Sequence, residues 1–122
     1  MKRSLAALAG AVALLAAQAQ VQAQDYPTRQ LTWVVPNTPG STTDVISRLI
    51  GNKLSERLKQ TIVIENRAGA NTQIAAEHVA KAANDGYTLF FTTNTSHSAN
   101  PVLYTKLPYD PVKDFTPIAR TG

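Results

Sequence analysis

Short apolar segments alternate along this chain with longer segments of helical periodicity, and this alternation limits the fold more than any other feature. The apolar segments are residues 31–36 (LTWVVP), 61–65 (TIVIE) and 87–93 (YTLFFTT). Between them, residues 43–58 and 72–83 have the apolar spacing of helices. A strand–helix–strand–helix–strand order predicts a parallel sheet with right-handed crossovers. Because the strands are almost continuously apolar, both faces of the sheet should be covered. The predicted fold class is α/β.

The first predicted helix carries one broad apolar stripe. Its members are Val45, Ile46, Leu49, Ile50, Leu54 and Leu58. The second predicted helix is rich in alanine and ends near Gly86, a residue suited to the left-handed position that follows a helix. Beyond the third strand, four prolines make the chain irregular, and a fourth strand is predicted at residues 117–120.

The composition suits one domain and excludes several chemistries. The chain has 122 residues, of which 43% are hydrophobic, and no cysteine. Disulfides, thiol nucleophiles and thiolate metal sites are therefore excluded. The net charge of +4 is not gathered into a basic run or a basic face with interleaved aromatic residues. Nucleic acid is therefore not an expected partner.

The N-terminus has the pattern of an export signal. Lys2 and Arg3 precede an apolar run from residue 5 to residue 17, and the small residues of Val21-Gln22-Ala23 follow it. This order is typical of a cleaved signal peptide, and the run is too short to span a bilayer comfortably. Residues 1–23 are thus predicted to be a signal peptide, which places the mature protein, residues 24–122, in the periplasm. A retained membrane anchor is the alternative.

Three loops are predicted to follow the carboxyl ends of the strands, at residues 37–42, 66–71 and 93–97. In open parallel sheets, ligands bind in the crevice at this edge. Ser41 to Asp44 matches a capping box, in which Ser41 caps the helix and Asp44 reaches back to the Ser41 amide. One interpretation is that these side chains do nothing more than cap the helix.

The other interpretation adds anion binding at the same loops. A helix N-terminus offers free N–H groups and a partial positive charge, which favour a carboxylate or a phosphate. Asn71 would cap the second helix, so that two N-termini converge on one crevice. The candidate ligand-binding residues are Pro39, Gly40, Ser41, Thr42, Thr43, Asp44, Gly69, Ala70, Asn71, Thr95 and His97.

Catalytic motifs are absent from these loops. No lysine follows Gly40 in the manner of a phosphate-binding P-loop, and no G-x-G-x-x-G follows the first strand. The pattern G-x-S-x-G is also missing, so Ser96 beside His97 is weak evidence for a hydrolase. The two histidines, His78 and His97, do not have metal-ligand spacing. Neither a catalytic residue, a metal nor a cofactor is predicted, and the protein is not expected to be an enzyme.

Five short motifs together resemble one family. They are Tyr26-Pro27-Thr28-Arg29, Pro39-Gly40 with Asp44, Glu65-Asn66-Arg67, Asp85-Gly86-Tyr87-Thr88 and Leu107-Pro108-Tyr109-Asp110-Pro111. The chain from residue 26 to residue 119 resembles the Bug-type extracytoplasmic solute receptors, the substrate-binding proteins of tripartite tricarboxylate transporters. In that family the first loop typically reads P-F-x-P-G-G-x-x-D and the second E-N-R-P-G-A-G-G-x-I-G. The departures in this chain fall mainly in those two loops, at Asn37, Ser41, Ala68, Asn71, Thr72 and Ala75.

The resemblance implies a two-lobed periplasmic binding protein fold of the Venus flytrap type, in which a hinge closes the lobes on a ligand. It also implies a small carboxylate ligand, such as a dicarboxylate, a tricarboxylate, an acidic amino acid or an aromatic acid. The membrane components of a tripartite transporter are the implied partners. Changes in the two loops indicate either a different ligand from the commoner ones or a decayed site.

Members of this family are much longer than 122 residues. We therefore expect residues 24–122 to form only the N-terminal part of the first lobe, ending near the first crossing to the second. Two alternatives remain at this point. One is an exported α/β hydrolase or esterase that uses Ser41 or Ser96, and the other is a truncated gene product without function.

Overall fold

The computed structural model describes residues 25–121. The strands and helices are β1 (Leu31–Val35), α1 (Thr42–Leu58), β2 (Ile62–Asn66), α2 (Gln73–Ala80), β3 (Thr88–Phe90) and α3 (Asn100–Leu103). A 3₁₀ turn at Ala70–Thr72 and a π-helical turn at Thr95–Ala99 lie between them. The predicted signal peptide, residues 1–23, lies outside the described residues. Within residues 25–121, no helix combines the length and the apolar character that crossing a membrane requires.

The strands form one parallel sheet in the order β2-β1-β3, which confirms the predicted α/β class. Trp33 at the middle of β1 pairs with Ile64 on one side and Leu89 on the other. Strand β1 is the centre of the core, since Leu31, Val34 and Val35 are each at most 1% exposed. A central strand covered on both faces is the arrangement that its unbroken apolar sequence predicts.

Helix α1 packs on the sheet mainly through small residues, and its apolar stripe is only partly covered. Ser47 and Gly51 are buried, and a Cβ on Gly51 would lie 3.3 Å from the Trp33 ring. A side chain at position 51 would therefore require the neighbouring Trp33 and Ile64 side chains to shift. The stripe residues that stay exposed are Val45, Ile46 and Leu49, by 57%, 41% and 64%. The other three stripe residues, Ile50, Leu54 and Leu58, are partly buried, so the packing face of α1 overlaps only part of the stripe that periodicity identifies.

Several predicted boundaries are wrong. Helix α2 ends at Ala80 and not at residue 83, because the Ala82 N–H donates to the Val79 carbonyl in a tighter turn. Strand β3 has three residues, since only residues 88–90 pair with β1 before the chain turns into a helical turn. The predicted fourth strand is absent: residues 117–120 pair with no strand in the described part of the chain.

At the amino-terminal edge of the sheet, side chains from two segments that are distant in sequence contact each other. The Arg29 guanidinium lies 3.9 Å from the centroid of the Tyr87 ring, and its Nη2 is 2.8 Å from Asp85 Oδ2. The Tyr26 hydroxyl donates to the Gly86 carbonyl at 2.5 Å. These contacts tie the segment before β1 to the turn before β3. The opposite, carboxyl-terminal edge carries the three loops.

Candidate ligand-binding site

The first and second loops leave the sheet side by side. Backbone pairing continues to the last residue of each strand, where the Arg67 N–H donates to the Val35 carbonyl at 2.8 Å. On the other side of β1, the Phe91 N–H donates to the Val34 carbonyl at 2.9 Å. The segments that follow β1, β2 and β3 therefore share one edge of the sheet, where a crevice between loops is expected.

Asp44 organises the first loop and has no oxygen left for a ligand. It is only 2% exposed. Its Oδ2 accepts hydrogen bonds from the Gly40 N–H at 2.9 Å and from Arg48 Nε at 3.0 Å, and its Oδ1 accepts one from Asn66 Nδ2 at 2.9 Å. Arg48 Nη2 also lies 3.0 Å from Oδ1. Asp44 is a candidate ligand contact in the sequence, and in the structure both of its carboxylate oxygens are bonded to protein groups.

The predicted capping box is half formed. Ser41 is the N-cap of α1, and its Oγ accepts a hydrogen bond from the Asp44 N–H at 3.3 Å. The reciprocal bond reaches one residue further back than predicted, because the Asp44 carboxylate binds the Gly40 amide and not that of Ser41. Gly40 has a φ of +83°, a left-handed value that favours glycine. The carboxylate therefore holds the glycine turn that begins the helix.

Asn66 joins the two loops, and sequence reasoning missed this role. Its Nδ2 donates to the Asn37 carbonyl and to Asp44 Oδ1, both at 2.9 Å. Its Oδ1 accepts from Arg48 Nη2 at 3.0 Å. Asn66 is the last residue of β2, so this amide fixes the first loop relative to the start of the second. The motif Glu65-Asn66-Arg67 contained the signal, since an amide at a strand end is suited to bonding a neighbouring loop.

Thr42 and Thr43 carry hydroxyls at the start of α1, where the first loop ends. Thr42 is exposed and Thr43 is partly exposed at the first turn of α1. Within residues 25–121, neither hydroxyl has a hydrogen-bond partner. Near them in sequence, a Cβ on Gly40 would meet no atom within 4 Å, so the space at Gly40 is open. The structure thus leaves two neutral donors and the first amides of a 17-residue helix facing open space.

The second loop has a left-handed backbone. Gly69, Ala70, Asn71 and Thr72 have φ values of +133°, +45°, +51° and +73°. The prediction that Asn71 caps the second helix is wrong, because the N-cap is Thr72 and no side-chain capping bond forms. The left-handed backbone directs the Asn71 amide to Asn100, where Nδ2 donates to Oδ1 at 2.7 Å.

The third predicted loop is helical at Thr95–Ala99, and its two candidates have protein partners. Thr95 Oγ1 accepts a hydrogen bond from Thr93 Oγ1 at 3.2 Å. The His97 ring lies 4.8 Å from the Phe115 ring and 6.1 Å from the Phe90 ring, measured between centroids. Burial in this aromatic cluster lowers the pKa of His97. The neutral imidazole is therefore the favoured form in the fold.

Protonation of Asp44 in acid should weaken the hydrogen bonds that hold the first loop. Hydrogen bonds from Arg48, then from the Gly40 amide and Asn66, lower the pKa of Asp44 from 3.8 to about 2. Because the unfolded chain takes up this proton first, the stability from Asp44 is complete above pH 3.8 and is lost as the pH falls towards 2. We expect Asp44→Asn to be less stable than the wild type at neutral pH and to lose less stability on acidification. Urea unfolding as a function of pH measures this, with Asp25→Asn, which removes an exposed carboxylate, as the control. Parallel pH profiles for wild type and Asp44→Asn would contradict it.

Comparison with known proteins identifies one family. Residues 46–121 match the family described as TctC, tripartite tricarboxylate transporter family receptor. The protein BugT of Bordetella pertussis is 36% identical over 123 aligned residues, which cover 100% of this chain and 38% of BugT. A UPF0065 protein of Bordetella bronchiseptica is 43% identical over 98 residues, or 80% of this chain and 29% of that protein. The chain therefore spans about a third of the length of these relatives.

Several solved structures of periplasmic proteins are similar to this chain. MatC from Rhodopseudomonas palustris, solved with bound malate, has a TM-score of 0.72 and 46% identity and covers 75% of this chain. An R. palustris protein solved with adipate has a TM-score of 0.68 and 49% identity over 70% of this chain. The periplasmic binding protein BugD has a TM-score of 0.69 and 34% identity over 76% of this chain. This chain covers 31%, 29% and 31% of those three chains, respectively.

Proposed function

Since this chain belongs to the tripartite tricarboxylate transporter receptor family, we propose that it is part of a periplasmic receptor that captures a small carboxylate. The family consists of solute-binding receptors and not of enzymes. The alternative of an esterase is wrong for this reason. The site agrees, since Ser96 is 0% exposed and its Oγ is hydrogen bonded to Thr72 and Thr92.

One observation carries the carboxylate proposal. Thr42 and Thr43 present unpartnered hydroxyls at the N-terminus of α1, beside the open space over Gly40. A helix N-terminus favours negative charge, and hydroxyls and amides bind a carboxylate without a compensating positive side chain. The nearest cation in this network, Arg48, is already paired with Asp44. Two related structures hold malate and adipate, which are both dicarboxylates.

The second loop supplies the other proposed contacts. Gly69, Ala70 and Asn71 lie on the segment that follows β2, next to the segment that follows β1. Thr95 and His97 would contribute from the third segment. Asp44, which is also among the candidates, would act through the first loop and not by touching the ligand.

Export and transport complete the proposal. Residues 1–23 would direct the chain to the periplasm, and the membrane components of a tripartite transporter would receive the loaded receptor. The family match and the periplasmic binding protein BugD support this proposal. N-terminal sequencing of exported material tests the export step, and a start at Gln24 is the expected result.

The 122-residue chain alone should bind malate or adipate no more tightly than about 1 mM, near −4 kcal/mol. Its loops offer about four to six neutral hydrogen bonds, each netting about 0.5–1.5 kcal/mol. The cost of association, about 4–15 kcal/mol, offsets most of that gain. In receptors that close on a hinge, a second lobe supplies further contacts and excludes water.

NMR titration with malate and adipate, which detects millimolar binding, is the test. Thr43→Val should weaken binding by about 0.5–1.5 kcal/mol through one lost hydrogen bond. Thr61→Val, at the amino end of β2 and away from the loops, is the matched control. Micromolar affinity would show that this segment suffices alone. A titration in which neither acid shifts any amide of residues 40–44 would contradict the proposed site.

A further inference from the structure

The second loop contains three consecutive non-glycine residues in a conformation that such residues seldom adopt. Ala70, Asn71 and Thr72 all have φ between +45° and +73°. Asparagine tolerates this region better than most residues, whereas a β-branched residue such as threonine is an outlier there. A strained segment persists only where its surroundings hold it in place. Residues that contact Ala70–Thr72 should therefore stabilise the strained turn.

Asn100 contacts two of the three residues of this turn, Asn71 and Thr72. It is 0% exposed. Its Nδ2 donates to the Asn71 carbonyl at 2.8 Å and lies 3.3 Å from Thr72 Oγ1, while its Oδ1 accepts from Asn71 Nδ2 at 2.7 Å. One buried amide thus bonds the backbone and the side chain of Asn71 and reaches the side chain of Thr72.

Asn100 is itself held by a second layer of buried polar groups. Its Nδ2 lies 3.1 Å from the Tyr109 hydroxyl, and that hydroxyl donates to the Ser96 carbonyl at 2.7 Å. Ser96 Oγ lies 2.8 Å from Thr72 Oγ1 and closes the ring of contacts. Because the polar side chains named here bond to one another, a change at Asn100 would disturb several hydrogen bonds at once.

We propose that Asn100 is the positioning residue of the second binding loop. It holds the left-handed turn at Ala70–Thr72 and so sets the position of Gly69, Ala70 and Asn71. This role rests on the proposed function, because those three residues are proposed contacts for the carboxylate. Asn100 itself lies beneath the loop, fully buried, and does not touch the ligand.

Asn100→Asp tests the proposal, because aspartate has nearly the same shape but, when ionised, has no donor for the Asn71 carbonyl. The Gln73 N–H donates to the Ala70 carbonyl inside the turn, so its hydrogen exchange reports on turn opening. We expect the variant to exchange the Gln73 amide about tenfold faster or more. The Leu31 amide, bonded to the Thr61 carbonyl in the sheet, should be unchanged. Asn84→Asp, which changes an exposed asparagine in the same way, is the matched control.

The malate titration separates this role from a general structural one. In Asn100→Asp, the shifts at residues 69–73 should be lost while those at residues 40–44 remain. Unchanged shifts and unchanged Gln73 exchange would overturn the role of Asn100. A wild-type chain with no malate shifts at either loop would overturn the proposed function, whereas the exchange result would still test the positioning of the turn.

A second pair of variants leaves Asn100 in place, in case Asn100→Asp does not fold. Asn71→Ala and Asn71→Gly both remove the side-chain bond to Asn100, but only glycine adopts a φ of +51° at little cost. Asn71→Ala should therefore accelerate Gln73 exchange more than Asn71→Gly. Wild-type Gln73 exchange in both variants would mean that the turn needs no such hold, and the proposal would fall.

Discussion

Trp33→Ala should lower the free energy of unfolding by about 3–5 kcal/mol, the range typical of a large aromatic residue removed from a core. The side chain is 8% exposed and lies under helix α1, where its ring meets the Gly51 backbone closely. It also packs edge-on against Phe91, with ring centroids 5.1 Å apart. A domain of this size has a total stability of only about 5–15 kcal/mol, so this single change removes a large share of it.

Urea unfolding followed by circular dichroism measures the loss, because Trp33 is the only tryptophan and its fluorescence disappears in the variant. Trp33→Phe, which keeps an aromatic ring, should cost clearly less. Val102→Ala is the surface control, since Val102 is 85% exposed and should change stability by no more than about 0.5 kcal/mol. A Trp33→Ala loss as small as that of Val102→Ala would show that the core does not centre on β1.

Gly69→Ala should destabilise the chain by about 1–3 kcal/mol through backbone strain alone. Gly69 has φ +133° and ψ 165°, a region that is essentially restricted to glycine. An added Cβ would also lie 2.6 Å from Ile74 Cδ1. Ile74 is 47% exposed, so its side chain has room to rotate away from the new methyl group. Strain in the backbone should therefore outweigh the steric contact.

Two further variants separate the strain from the contact. Gly69→Ala combined with Ile74→Ala removes the close approach but keeps the backbone cost, so most of the loss should remain. Gly40→Ala, at φ +83° with no atom within 4 Å of the new Cβ, measures the strain at a site without crowding. Thermal unfolding compares the three. Full recovery of stability in the double variant would assign the effect to the Ile74 contact.

Much of the architecture follows from local sequence. The run LTWVV is apolar at four of its five positions, and it forms the central strand with parallel neighbours on both sides. Its flanking helices carry helical periodicity, and Ser41 begins α1 as predicted. These features depend on residues within a few positions of one another, so a single sequence contains the information. The prediction of a fourth strand at residues 117–120 is wrong, because a strand needs a pairing partner and local sequence does not specify one.

The family resemblance is also a property of the sequence, because its motifs lie within short segments. The left-handed turn shows the limit of such motifs. Asn71 and Thr72 occupy positions where the family pattern has glycine. From the sequence alone, these two substitutions indicate a change in ligand or a loss of function. In the structure, both residues keep positive φ values and bond to Asn100 and Ser96. A substitution in a binding loop is therefore interpretable only together with the residues it contacts.

The sequence by itself determined the α/β class, the order of the three strands and the two longer helices, and the three segments that leave one edge of the sheet. Tertiary structure decided which face of α1 packs, because close approach requires small residues, Ser47 and Gly51, and hydrophobic periodicity does not report them. It also decided the hydrogen bonds of Asp44 and Asn100. Asp44 meets Asn66 across 22 positions, and Asn100 meets Asn71 across 29. Hydrogen bonds between residues so far apart exist only once the sheet has brought the loops together.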